Sequence, residues 1–92
     1  MTMKDRYLEA TYHKGKLLAA YLYLPRQADD RSARVQEFPG GVLVDVTQDG
    51  RPIGIELISP KDVSLDQVNA ALDNFGLEQM TEQELSPLYQ AA

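Results

Sequence analysis

Apolar and polar positions alternate most strictly in GVLVDVTQDGRPIGIELIS, residues 41–59, on both sides of an Asp49-Gly50 pair. A period of two marks strands with one buried face, and Asp-Gly between two such runs signals a hairpin. With Asp49 and Gly50 at the centre of a type I′ turn, Gln48 faces Arg51, Thr47 faces Pro52 and Val46 faces Ile53. Val44 then faces Ile55, and Val42 faces Leu57. The apolar partners land on one face, and a slip of one residue would move them to the other. Pro52 has no N–H to give a neighbour, which suits an outer edge best.

Two further runs, residues 6–12 and 17–24, flank HKGK and predict a second hairpin with Gly15 in its turn. Residues 25–32 are polar and aperiodic, a loop; 33–38 form a weaker strand closed by Pro39-Gly40-Gly41. The period then changes to that of a helix. Leu65, Val68, Leu72 and Phe75 share one face, Ser64 and Gln67 have capping-box spacing, and Val63 with Val68 makes a hydrophobic staple. Gly76 ends that helix as a left-handed cap with Leu72 and Leu77 in contact. Thr81 with Glu84, and Met80 with Leu85, repeat the start signal; Pro87 predicts a single turn there, then a second start capped by Ser86. The fold class is therefore α+β: an antiparallel β-meander of four to five strands with a C-terminal helix packed on one face. The whole chain, 1–92, reads as one domain, with the meander over 6–58 and a helical segment over 64–92.

Composition narrows the functions. Ninety-two residues build one modest core, with little room for a deep enclosed pocket as well. The net charge of −5 opposes nucleic acid. Bases outnumber acids seven to five in residues 1–40, and acids outnumber bases nine to two from residue 41 on, so the second half is a docking surface for a basic partner or simply a solvated one. There is no cysteine for a disulfide, thiolate metal site or nucleophile. The first sixteen residues lack the apolar centre of a signal peptide, and the longest apolar run, 17–24, is too short to span a bilayer. A soluble cytoplasmic protein without a membrane partner is expected.

The hairpin residues resemble the Domain of Unknown Function family 2283, small and mostly bacterial β-rich proteins. Gly41, Val42, Asp45, Asp49, Gly50, Gly54, Ile55, Glu56 and Leu57 match its pattern, and Tyr12, Tyr21, Leu22 and Leu24 match its other half. The likeness covers roughly residues 6–60 and not the helices. His13 and Leu18 stand where the family carries acids, so no role for those acids is carried over. The resemblance implies a small β-rich fold and no activity; members sit beside small toxin-like genes.

Candidate chemistry is sparse. Asp45 faces Gly54, with Glu56 as diagonal neighbour; such carboxylates share a proton, hold a metal or bind a small ligand, or else only decorate a half-solvated sheet face. Gly54 inside a strand marks a bulge or the close approach of another group. Tyr21 and Tyr23 point away from Ala20, Leu22 and Leu24, into a protein interface or cross-strand packing. The single histidine, His13, has no second nitrogen ligand for zinc. The expectation is a non-enzymatic interaction module without catalytic, metal or cofactor residues. Tyr21, Tyr23, Leu43 and Ile58 are its interface candidates, and a homodimer its simplest assembly. A neutralising partner of a basic toxin-like protein, and a small-ligand binder or minimal enzyme built on Asp45 and Glu56, are the competing readings.

Overall fold

The computed structural model describes residues 5–90. Five antiparallel strands form one sheet: β1 (Tyr7–His13), β2 (Lys16–Tyr23), β3 (Arg34–Phe38), β4 (Val42–Val46) and β5 (Pro52–Leu57). Two helices follow, α1 (Leu65–Asn74) and α2 (Glu82–Gln90). The α+β class and the C-terminal helix stand as expected. The strand order is β1-β2-β5-β4-β3, so the last strand lies between the two hairpins.

This order corrects the placement of Pro52. Its strand is central, yet the proline costs no ladder bond on the β2 side. Tyr23 pairs with Gly54, and Leu24 N–H reaches Ile53 O at 3.2 Å, so Pro52 is the first residue of β5 and stands beyond β2. The turn type is corrected as well. Gly50 has φ +91°, but Asp49 does not have positive φ. Gly50 N–H donates to Thr47 O and Thr47 N–H to Arg51 O, a type I turn followed by a left-handed glycine in a three-residue loop. That loop shifts the pairing by one, to Val46 with Pro52. A β-bulge at Ile53 absorbs the extra residue, so Asp45 faces Gly54, Val44 faces Ile55 and Val42 faces Leu57, as the alternation requires. Type I′ geometry occurs instead at Lys14-Gly15, with φ +51° and +78°, between β1 and β2.

The alternation sends Leu22, Leu24, Val42, Val44, Ile55 and Leu57 to one face, where they join Val68, Ala71 and Leu72 of α1 and Leu85 and Leu88 of α2 in one core. In α1 the Ser64–Gln67 capping box is complete in both directions, at 3.1 and 2.9 Å. Leu77 N–H donates to Leu72 O and Gly76 N–H to Asp73 O, which ends the helix as a Schellman motif. The buried Asn69 then grips the linker: its amide donates to Met80 O at 3.1 Å and accepts from Met80 N–H at 2.7 Å.

Past Met80 the helix does not stop as expected. α2 is one helix with Pro87 inside it. The proline lacks the N–H that would reach Gln83 O, and the Ser86 hydroxyl donates to that carbonyl instead, at 2.8 Å. Thr81 and Glu84 cap the helix at 3.2 and 3.0 Å, and Met80 and Leu85 are both buried.

Residues 24–33 carry the chain from β2 across the ends of β5 and β4 to β3. The crossing is held at Leu24–Ile53, at Ala33–Val46 (2.8 Å) and by a two-pronged Arg51–Asp30 ion pair at 2.7 and 3.0 Å.

Candidate functional site

Both helices pack on one face of the sheet, and the register lays out the other. Tyr7 faces Tyr23 and Glu9 faces Tyr21; Tyr23 faces Gly54 and Tyr21 faces Glu56. Asp45 and Leu43 continue the rows on β4, with Val35 and Glu37 beyond them on β3. All four interface candidates, Tyr21, Tyr23, Leu43 and Ile58, therefore belong to this open face. The structure adds Tyr7 and Val35, which are 52% and 54% exposed. Tyr7 was readable two residues before Glu9 in an alternating strand; Val35 needed the strand order.

The tyrosines form a ladder. Tyr7 stacks on Tyr23 with centroids 4.6 Å apart, and Tyr21 meets Tyr23 edge-on at 4.7 Å. The Arg26 guanidinium lies 5.4 Å from the Tyr23 ring centre and also donates to Ile53 O. Tyr23 OH is 3.4 Å from Glu9.

Tyr21 explains Gly54. Its ring leans across β5, and a Cβ at residue 54 would overlap the ring and hydroxyl. The close approach that an in-strand glycine signals is thus made by this protein's own side chain. Tyr21 OH crosses the glycine to donate to Asp45 Oδ2 at 2.6 Å, and Ser32 donates to Asp45 Oδ1 at 3.1 Å. Burial, and then the adjacent Asp45 carboxylate, push the Tyr21 phenol up from 10 to about 12. Asp45 therefore ties β2, β4 and the crossing loop together, a use of the carboxylate that sequence reasoning missed because Tyr21 and Ser32 are remote in sequence.

Asp45 and Glu56 are diagonal neighbours on this face as expected, but they do not share a partner: Asp45 is held by Tyr21 and Ser32, while Glu56 is exposed. Clefts border the fold at the crossing loop, beside Leu18 and Ile58, and beside Arg6 and Leu77, and neither acid lines these. The cleft at the crossing loop measures about 510 Å³, and Arg51 there is already engaged by Asp30 and Asp49. A second, about 210 Å³, is bounded by Leu18 and Ile58. Among the described residues no group of three or more His, Cys, Asp or Glu side chains is placed to hold a metal ion. His13 is exposed at the end of β1. No described helix is long and apolar enough to cross a membrane.

No protein-family model, curated protein or solved structure matches the chain.

Proposed function

We propose that this protein is a non-enzymatic interaction module that contacts another protein through the open sheet face. The observation that carries the reading is the row of Tyr7, Tyr23, Tyr21, Leu43 and Val35 on four strands, with Ile58 just past the end of β5, which lies opposite the helices and is covered by neither. Aromatic groups with polar tips favour such contacts, because the ring leaves water while the hydroxyl stays bonded at the rim. The face measures roughly 20 Å by 16 Å from strand spacing and rise, about 300 Å² in projection, which suits a transient contact rather than a permanent one. Asp45 serves the face as a strut, and this disfavours a site built on Asp45 and Glu56.

Kinship with the family of unknown function belongs to the same proposal and rests on the hairpin residues, of which Asp45, Gly50 and Gly54 have structural work here. A cytoplasmic location also belongs to this proposal.

The test replaces Tyr23 and Ile58 together by serine, leaving the Tyr21–Asp45 bond in place. Light scattering at micromolar concentration and capture from lysate are compared with wild type. Association with a second copy or another protein, lost in the variant while circular dichroism is unchanged, is the expected result. A monomeric wild type that captures nothing the variant does not also capture refutes the proposal.

A further inference from the structure

The charges on the open face select what it binds. Glu9, Glu37, Asp45 and Glu56 stand on it, one on each of β1, β3, β4 and β5. Among the described strands the bases are Lys16 and Arg34. Lys16 sits at the tip of the first hairpin, and Arg34, opposite Val46, belongs to the helix-covered face. Arg26 borders one end, but its guanidinium is engaged by Tyr23 and Ile53 O. Carboxylates thus alternate with tyrosine and aliphatic groups, and Arg26, held at one end over Tyr23, is outnumbered by the four acids.

We infer that the open face takes a cationic amphipathic segment of another protein rather than a second copy of this chain. The inference rests on the proposed interaction role and names its partner's chemistry. Two copies face to face would set carboxylates against carboxylates while dehydrating them, which opposes self-association. A segment carrying Lys or Arg beside apolar residues meets both halves of the surface. Its cations pair with Glu9, Glu37 and Glu56 and lie over the exposed ring of Tyr7, while its apolar side chains cover Leu43, Ile58 and Val35. Glu9 beside the Tyr7–Tyr23 stack combines a carboxylate with an aromatic face, which suits guanidinium groups in particular.

The full chain, labelled with ¹⁵N, is titrated with a short amphipathic Leu/Lys peptide and with its Leu/Glu counterpart, and amide shifts are mapped. Shifts confined to the open face with the Leu/Lys peptide, about tenfold weaker binding at high salt, and loss of binding in Glu9→Gln/Glu37→Gln/Glu56→Gln are expected. Asp45 is kept, so the tyrosine strut survives in that variant. Equal binding of the Leu/Glu peptide, or self-association through this face, overturns the cationic partner and leaves the interaction role standing. Leu/Lys shifts centred on α1 and α2 also overturn it, since they would report general acidity alone. No shift with either peptide, together with a monomeric chain, removes both the inference and the role beneath it.

Discussion

Replacing Gly54 by alanine is expected to destabilise the protein, although the same change in an ordinary strand interior helps. Alanine normally gains about 0.5–1 kcal/mol there, because glycine loses more backbone freedom on folding. Here the new methyl would occupy the volume of the Tyr21 ring and hydroxyl. The ring must swing out to solvent and give up its bond to Asp45. A hydrogen bond to a charged group contributes about 1.5–3 kcal/mol, and the half-buried ring adds about 1–2 kcal/mol of lost apolar contact. After the backbone gain the net loss is about 2–4 kcal/mol, a fall in Tm on the order of 10–30 °C for a domain of this size. The decisive assay is a double-mutant cycle by urea denaturation. With Tyr21→Ala already in place the ring is gone, and Gly54→Ala should then raise stability by about 0.5–1 kcal/mol. An equal loss in both backgrounds would refute the reasoning, because the cost would then come from the backbone at residue 54 and not from the tyrosine crossing it.

Three other outcomes follow from the geometry. The Tyr21 phenol is raised from 10 to about 12 in the fold, so its contribution is complete below pH 10 and is lost as pH rises towards 12; alkaline unfolding of Tyr21→Phe should show a smaller stability loss across that window than wild type. Gly50→Val forces a β-branched residue to φ +91° and should cost about 1–3 kcal/mol by urea denaturation, whereas Asp49→Ala, which needs no positive φ, should cost less. Asn69→Ala leaves both backbone groups of Met80 unpaired in a buried position; about 2–4 kcal/mol of stability is expected to go, and hydrogen exchange should rise first in α2.

The features legible in the sequence are those decided within a few residues. Ser64–Gln67, Thr81–Glu84 and Gly76 could be assigned because capping chemistry needs only its own turn. The Val44–Ile55 and Val42–Leu57 pairs were fixed by burial of one face, and they survived a wrong turn type: the loop is a residue longer than expected and the Ile53 bulge takes it back. Asp-Gly fits both turns, since each needs positive φ at the glycine and only the two-residue turn needs it at Asp49 as well. Gly54 announced that something approaches it, but Tyr21 could be identified only once β2 was known to lie beside β5, and nothing local encodes that adjacency. Asn69 drew no attention for the same reason, as its partner is eleven residues on in a linker without periodicity. Pro87 was given its usual helix-breaking weight, and the neighbouring Ser86 hydroxyl and the buried Leu85 and Leu88 outweighed it.

The strand order has a consequence for synthesis. Chain that leaves the ribosome first can close β1 on β2 at once, and later β3 on β4, yet these two hairpins have no contact in the sheet until β5 slots between them. Assembly of the sheet therefore waits for the residues up to Leu57, and each half shows an unpaired strand edge meanwhile, β2 on one side and β4 on the other. Those edges are the most apolar strands of the molecule, KLLAAYLY and VLVDV. A nascent chain stalled before Pro52 would expose both edges to pairing with another chain.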